Sequence, residues 1–230
     1  MFESICVVGK GRLGRAASAR LEERGVAVRS TGRALDVGSP DLVVLCVPDR
    51  AIADVADAIE PGPWVAHTSG ATSIAALAPH SRRFGLHPLQ TFQADLGPEQ
   101  FDGAFAAVTG ETPGALEAGF ALAALLDVRP FELDDEDRSA YHAAATMAAS
   151  FLVTLRRAAG DLMDAAGAPP EALEPLMRRT MENGFRPTGP FVRRDHVTID
   201  LHLQAIAARR PQLDRLYRAL AAATESLALR

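Results

Sequence analysis

The chain has 230 residues, of which 48% are hydrophobic and 23% charged, and its formal net charge is −5. That acidic balance excludes general nucleic-acid binding, which needs a basic face. No apolar run approaches the roughly 20 residues of a membrane helix. The two cysteines, Cys6 and Cys46, lie inside apolar runs, without metal spacing and without a disulfide framework. The start of the chain, acidic at Glu3 and only briefly apolar, does not read as a signal peptide, so a cytoplasmic protein is expected.

Residues 5–8 read as a buried strand. Gly9-Lys10-Gly11-Arg12-Leu13-Gly14 follows it directly, a G-x-G-x-x-G turn between a strand and a helix. Glycines let a pyrophosphate approach the backbone closely, and the following helix aims its free N–H groups and positive dipole end at the phosphates. The helix runs to about Arg24 and stops at Gly25. Lys10 is the only lysine in the chain, which excludes a catalytic lysine elsewhere.

A second strand is read at residues 26–29. At its end, NAD-binding folds carry a carboxylate for the ribose 2′-hydroxyl. Here the residues are Arg29-Ser30-Thr31-Gly32-Arg33. Hydroxyls and guanidinium groups suit a 2′-phosphate, so NADP(H) is expected, with Ser30 and Arg33 at the phosphate. Solvated surface arginines are the plain alternative. Residues 42–47 form a continuous apolar run, as in a parallel strand buried on both faces. Val47 and Pro48 at its end join Gly9, Gly11, Arg12, Leu13 and Gly14 as expected cofactor contacts.

Residues 52–59 read as a helix and 64–66 as a strand. Further strands are read at 83–86, 105–108 and 128–133, so the first part is an α/β, doubly wound, mostly parallel sheet. Two polar loops fall at its carboxyl edge. In His67-Thr68-Ser69-Gly70-Ala71, Ser69 is a candidate to bond substrate or nicotinamide. A turn stabilised by hydroxyls fits equally well. In Gly85-Leu86-His87-Pro88-Leu89-Gln90-Thr91-Phe92, His87 at the strand end is the candidate proton donor or acceptor.

The texture changes at Asp134-Asp135-Glu136-Asp137. Beyond it the pattern is helical throughout, giving a separate all-α domain. Tyr141, Ala144, Ala148, Phe151, Leu155, Ala159 and Leu162 make one apolar stripe on a long helix. That stripe favours burial in a homodimer. Tyr141 reads as core, whereas His142 lies off the stripe and is a candidate for the cleft. A second helix carries Leu173 to Thr180, a third starts at Asp195 as N-cap, and a fourth follows Pro211. Asn183, Thr188, Arg193 and Arg194 are candidate substrate contacts, the arginines for an anionic group. Helix termination at Asn183-Gly184 and capping at Asp195 are their structural alternatives. His202, three residues after Ile199, reads as a satisfied core histidine.

Taken together, the glycine loop, His67-Thr68-Ser69-Gly70-Ala71, the His87-Pro88 segment, Tyr141-His142, Asn183, Thr188-Gly189-Pro190, Arg193-Arg194-Asp195 and His202 resemble a bacterial family. That family joins an N-terminal Rossmann-like NADP-binding domain to a C-terminal helical domain of unknown function. The resemblance covers nearly the whole chain. More distantly, the architecture is similar to pyrroline-5-carboxylate reductase, ketopantoate reductase and the NADP reductases that use a deazaflavin. The His87-Pro88 pair resembles the histidine-proline motif of prephenate dehydrogenase, whose histidine contacts the substrate hydroxyl beside the nicotinamide. The resemblance thus implies acid–base work for His87. The missing lysine sets the chain apart from 6-phosphogluconate and 3-hydroxyisobutyrate dehydrogenases, and from ketopantoate reductase.

The expectation is therefore a dinucleotide-binding domain over residues 1–134 and an α-helical dimerisation and substrate domain over 135–230. The expected activity is NADP-dependent oxidoreduction of a small, anionic carbonyl or imine compound, with His87, Ser69 and His142 in catalytic roles. No metal is expected. A non-catalytic NADP-binding sensor is the alternative, and a deazaflavin remains open as hydride partner.

Overall fold

A computed structural model describes residues 2–228, and the chain divides into two compact units, Met1–Thr146 and Met147–Arg230. In the first unit the order is β1 (Ser4–Val8), α1 (Arg12–Glu23), β2 (Ala27–Thr31), β3 (Leu42–Leu45), α2 (Ile52–Asp57), β4 (Trp64–His67), β5 (Arg83–Leu89), β6 (Phe105–Thr109), α3 (Pro113–Leu126), β7 (Arg129–Glu132) and α4 (Arg138–Thr146). The seven strands form one sheet in the order β2-β1-β3-β4-β5-β6-β7. All neighbours are parallel except β5 and β6. The chain winds outward from β1 in both directions, which creates the switch point where open α/β sheets bind ligands.

Alternation along the strands builds two cores. Ile5, Val7, Val44, Phe84 and Leu86 pack with Ala17 and Leu21 of α1 and Leu122 of α3. Cys6, Val8, Val43, Leu45 and Val65 point the other way, onto Ile52 and Ala56 of α2. Gly25, at φ +78°, takes the chain out of α1 in the left-handed region open to glycine. Nothing in the sequence reading marks α3. Its Ala- and Leu-rich segment is apolar nearly all round, so it shows no stripe.

One correction bears on the site. The strand read at residues 83–86 continues to Leu89, so His87 and Pro88 lie within β5 rather than in a loop after it. β6 pairs antiparallel along this extension, with His87 opposite Ala107 and Pro88 opposite Ala106. Pairing with β4 has already ended at Gly85. The strand is open on that side, which is where a proline without an N–H is tolerated.

The second unit is helical. A π-helical turn at Met147–Phe151 leads to α5 (Leu152–Ala166), α6 (Leu173–Glu182), α7 (Pro190–Arg193), α8 (His196–Arg209) and α9 (Asp214–Ala228). The single long helix expected across residues 141–162 is therefore interrupted. A π turn adds a residue and rotates the stripe. Asp195 caps α8, its carboxylate accepting from the Thr198 N–H at 3.1 Å. His202 is exposed rather than core, and its Nδ1 lies 2.7 Å from the Tyr217 hydroxyl. Phe151, Val153, Leu176, Val197 and Leu201 are exposed apolar side chains of this unit. Among the described residues, no helix is long and apolar enough to cross a membrane.

Candidate active site at the carboxyl edge of the sheet

The glycine loop leaves β1 at the carboxyl edge. Gly9 sits at φ +120°, and a side chain there would run into the Cys46 carbonyl. A side chain on Gly14 would strike the Gly9 carbonyl, so α1 can start this close to β1 only with glycine at that position. Gly11 opens α1 without any side-chain cap, and nothing lies within 4 Å of where its Cβ would be. The first N–H groups of α1 have no side-chain cap, and the space beside Gly11 is open, which fits a pyrophosphate. Val47 packs into the α2-side core, and Pro48 caps a 3-10 turn at Asp49–Ala51.

The residues after β2 divide their work. Arg29, which opens the stretch read as suited to a phosphate, is ion-paired with Asp36 at 2.7 Å. A carboxylate therefore does approach this strand, from five residues beyond its end. The Ser30 hydroxyl lies 2.7 Å from that of Ser18 on α1. Thr31 is buried and donates to the Ala34 carbonyl at 2.7 Å, closing the turn that carries Arg33. Arg33 is exposed and, among the described residues, has no ion-pair partner.

Further along the same edge, β5 and α4 bring three polar side chains together against the loop that follows β4. His87 Nδ1 lies 2.8 Å from the Tyr141 hydroxyl. The His87 and His142 rings meet edge-on, with centroids 5.7 Å apart. Gly70 sits against both rings. A Cβ there would lie 2.5 Å from His142 Nδ1 and 2.9 Å from His87 Nε2. His142 Nδ1 is buried with no hydrogen-bond partner among the described residues. Two imidazole nitrogens therefore converge on one patch of bare backbone. Tyr141, read from the sequence as core, is half-buried and hydrogen-bonded to the candidate histidine.

Burial sets the charge state of this cluster. It pushes His87 down to about 4, helped by His142 and Arg138. It pushes His67 down to about 4 as well, again with Arg138 assisting. Burial raises the Tyr141 hydroxyl to about 12. At neutral pH His67 and His87 are uncharged and the Tyr141 phenol keeps its proton. His87 is the only partner of the Tyr141 hydroxyl among the described residues. Donation from Tyr141 to Nδ1 leaves the His87 ring proton on Nε2, beside Gly70.

The Ser69 hydroxyl, a candidate for catalysis, is used within its own loop. It donates to Asp49 at 2.8 Å, lies 2.9 Å from the Thr72 hydroxyl, and accepts from the Ala71 and Thr72 N–H groups. It shapes the loop that presents Gly70. In the helical unit, Asn183 ends α6. Thr188 precedes the left-handed Gly189, and Arg193 and Arg194 are exposed around the end of α7. Local structure thus accounts for the backbone at these positions. Among the described residues, no group of three or more His, Cys, Asp or Glu can hold a metal.

The neutral histidines have a consequence for stability. Unfolded histidine titrates near 6.5, whereas these two resist protonation until about 4 in the fold. The unfolded chain binds more protons between those values, so their contribution is complete above about pH 6.5 and is lost as pH falls towards 4. Urea unfolding at pH 7 and pH 5 should show a loss of on the order of 1–2 kcal/mol per histidine at the lower pH. Equal stability at both would contradict their burial as neutral rings.

A family model described as a domain of unknown function, DUF2520, matches residues 104–224, just over half of the chain. No curated protein matches the sequence. Among solved structures, a Bacteroides fragilis protein provisionally named an NADP oxidoreductase superposes with a TM-score of 0.82 at 20% identity, covering 97% of this chain and 98% of that one. A Thermotoga maritima protein does so at 0.77 and 23% identity, again over 97% and 98%. The Aspergillus terreus reductive aminase, in complex with NADPH and ethyl levulinate, gives 0.68 at 15% identity over 98% and 93%. At such identities the likeness establishes the fold, a Rossmann-like sheet followed by a helical domain. The chain belongs to the DUF2520 family.

Proposed function

We propose that this protein is an NADP-dependent oxidoreductase that reduces a small carbonyl or imine compound carrying an anionic group. The observation that carries the reading is the convergence of His87 Nε2 and His142 Nδ1 on Gly70. It lies at the edge of the sheet where the glycine loop also ends. The fold shared with the Aspergillus terreus reductive aminase and the Bacteroides fragilis protein supports it by analogy. Bound NADPH would supply the hydride. The glycine loop would hold its pyrophosphate, and Arg33 its 2′-phosphate.

The chain's own part is binding, orientation and a proton. His87 donates through Nε2–H to the substrate oxygen or nitrogen, polarising the bond to the carbon under attack. As that atom gains charge, the Nε2 proton passes to it and the Tyr141 O–H proton moves to Nδ1. The imidazole stays neutral throughout, and solvent later returns a proton to Tyr141. His142 Nδ1 meets the same substrate atom or its neighbour. Ser69 holds the loop that presents Gly70.

NADPH oxidation against a panel of keto acids and imines tests this. Replacing His87 by Ala should lower kcat/KM by about 10²-fold or more. Turnover unaffected by His87→Ala would contradict the role of His87. NADPH binding with no turnover across the panel would favour a nucleotide-binding sensor instead.

For the cofactor, Arg33→Ala should weaken NADPH by roughly tenfold or more and leave NADH nearly unchanged, as expected for one lost charge-assisted contact. Equal weakening of both would remove the NADP assignment. The exposed apolar residues Phe151, Leu152 and Leu155 of the second unit motivate a homodimer through the helical unit. Sedimentation velocity at micromolar concentration should show it, and a monomer there would contradict it.

A further inference from the structure

The first turn of α4 carries a buried cation that the proposed chemistry does not consume. Arg138 is 1% exposed. Its Nη1 donates to the Thr109 hydroxyl at 2.8 Å, and its Nη2 donates to the Ser69 carbonyl. Its Nε lies 3.9 Å from Asp135 and has no hydrogen-bond partner among the described residues. The guanidinium occupies the space left by Gly85, where a Cβ would lie 2.8 Å from Nη1. Gly85 and His87 are two residues apart on β5 and so share a face of the sheet. Arg138, Tyr141 and His142 are at i, i+3 and i+4 of one helix and so share a face of α4.

We propose that Arg138 is the positioning residue of this site, clamping α4 to β6 and to the Ser69 loop so that Tyr141 and His142 meet His87 over Gly70. The inference rests on the reading of His87 as proton donor. Bonds to two separate elements fix the start of the helix, and one further turn delivers Tyr141 to His87 Nδ1. Asp135 accepts from the Ile74 N–H at 3.0 Å and from the Ser73 hydroxyl, so its charge is shared with the loop. The cation is thus only partly balanced, and its field favours uncharged rings at His67 and His87. It also favours negative charge on the Tyr141 oxygen when that group gives up its proton. The charged and titratable groups around His87 are His142, Tyr141 and Arg138 from α4 and Asp49 from the 3-10 turn after β3.

The test is a nitrogen-15 NMR titration of the imidazoles in the full-length protein, compared with Arg138→Met and Arg138→Lys. In the native protein His87 should stay neutral to about pH 4, with its proton on Nε2. In Arg138→Met the midpoint should rise by about one pH unit, and the proton should be shared between both nitrogens. Arg138→Lys keeps the charge without the fork. It should retain most of the low midpoint but still lose the single tautomer. A cooperatively folded Arg138→Met in which His87 titrates as before, with one tautomer, would overturn the proposal. If that variant does not fold, Thr109→Val removes one acceptor of the clamp at nearly constant volume. A smaller change in the same direction supports the proposal, and an unchanged His87 overturns it. These readouts need no substrate. A shifted His87 without turnover in any assay would therefore uphold the clamp while the reductase reading fails.

Discussion

Five strands running in the same direction deliver their connections to a single edge of the sheet, and everything chemical in the first unit follows from that constraint. β1 brings the glycine loop there, β2 the turn with Arg33, β4 the Ser69-Gly70 loop and β5 the histidine. At several points on this edge the backbone must lack a side chain. Gly9 and Gly14 let the first helix start against the first strand, Gly70 lets two imidazoles converge, and Gly85 makes room for a guanidinium. At Gly9 and Gly14 the missing Cβ makes room for backbone carbonyls, at Gly70 for two imidazoles and at Gly85 for the Arg138 guanidinium.

The electrostatics of the edge are asymmetric. The glycine loop opens a helix whose first N–H groups lack intrahelical partners, and Arg33 is an exposed cation, which suits a phosphate-bearing ligand. The histidine cluster is drier. Burial and the Arg138 cation hold His67 and His87 neutral, and burial keeps the Tyr141 phenol protonated. A neutral imidazole with a fixed tautomer donates a hydrogen bond without adding charge. That arrangement suits an atom that becomes basic only as reaction proceeds.

Much of the fold was legible in the sequence because it rests on local periodicity. The apolar runs of β1, β3 and β4, the stop at Gly25 and the cap at Asp195 are signals within a few residues of one another. Other features depended on distant pairing. β5 continues through His87 and Pro88 because β6 lies alongside it, and no local pattern announces that partner. The π turn at Met147–Phe151 left a stripe that still reads as one helix. Ser69 showed both of its readings in the sequence, and the hydrogen bonds favour the turn. Arg29 is ion-paired with Asp36, a carboxylate that lies outside the window where one is ordinarily sought. Arg138 escaped notice, although its spacing to Tyr141 and His142 marks one face of a helix. An arginine after an acidic run reads as solvated surface until its burial is known.

The central claim is that one sheet edge holds the dinucleotide and presents its nicotinamide to the His87, Tyr141 and His142 cluster. A crystal structure of the protein with NADP bound tests this most directly. The account predicts the pyrophosphate over Gly9 to Gly14, the 2′-phosphate at Arg33, and the nicotinamide ring beside Gly70 within reach of His87 Nε2. A dinucleotide bound elsewhere, or a nicotinamide directed away from Gly70, would contradict it.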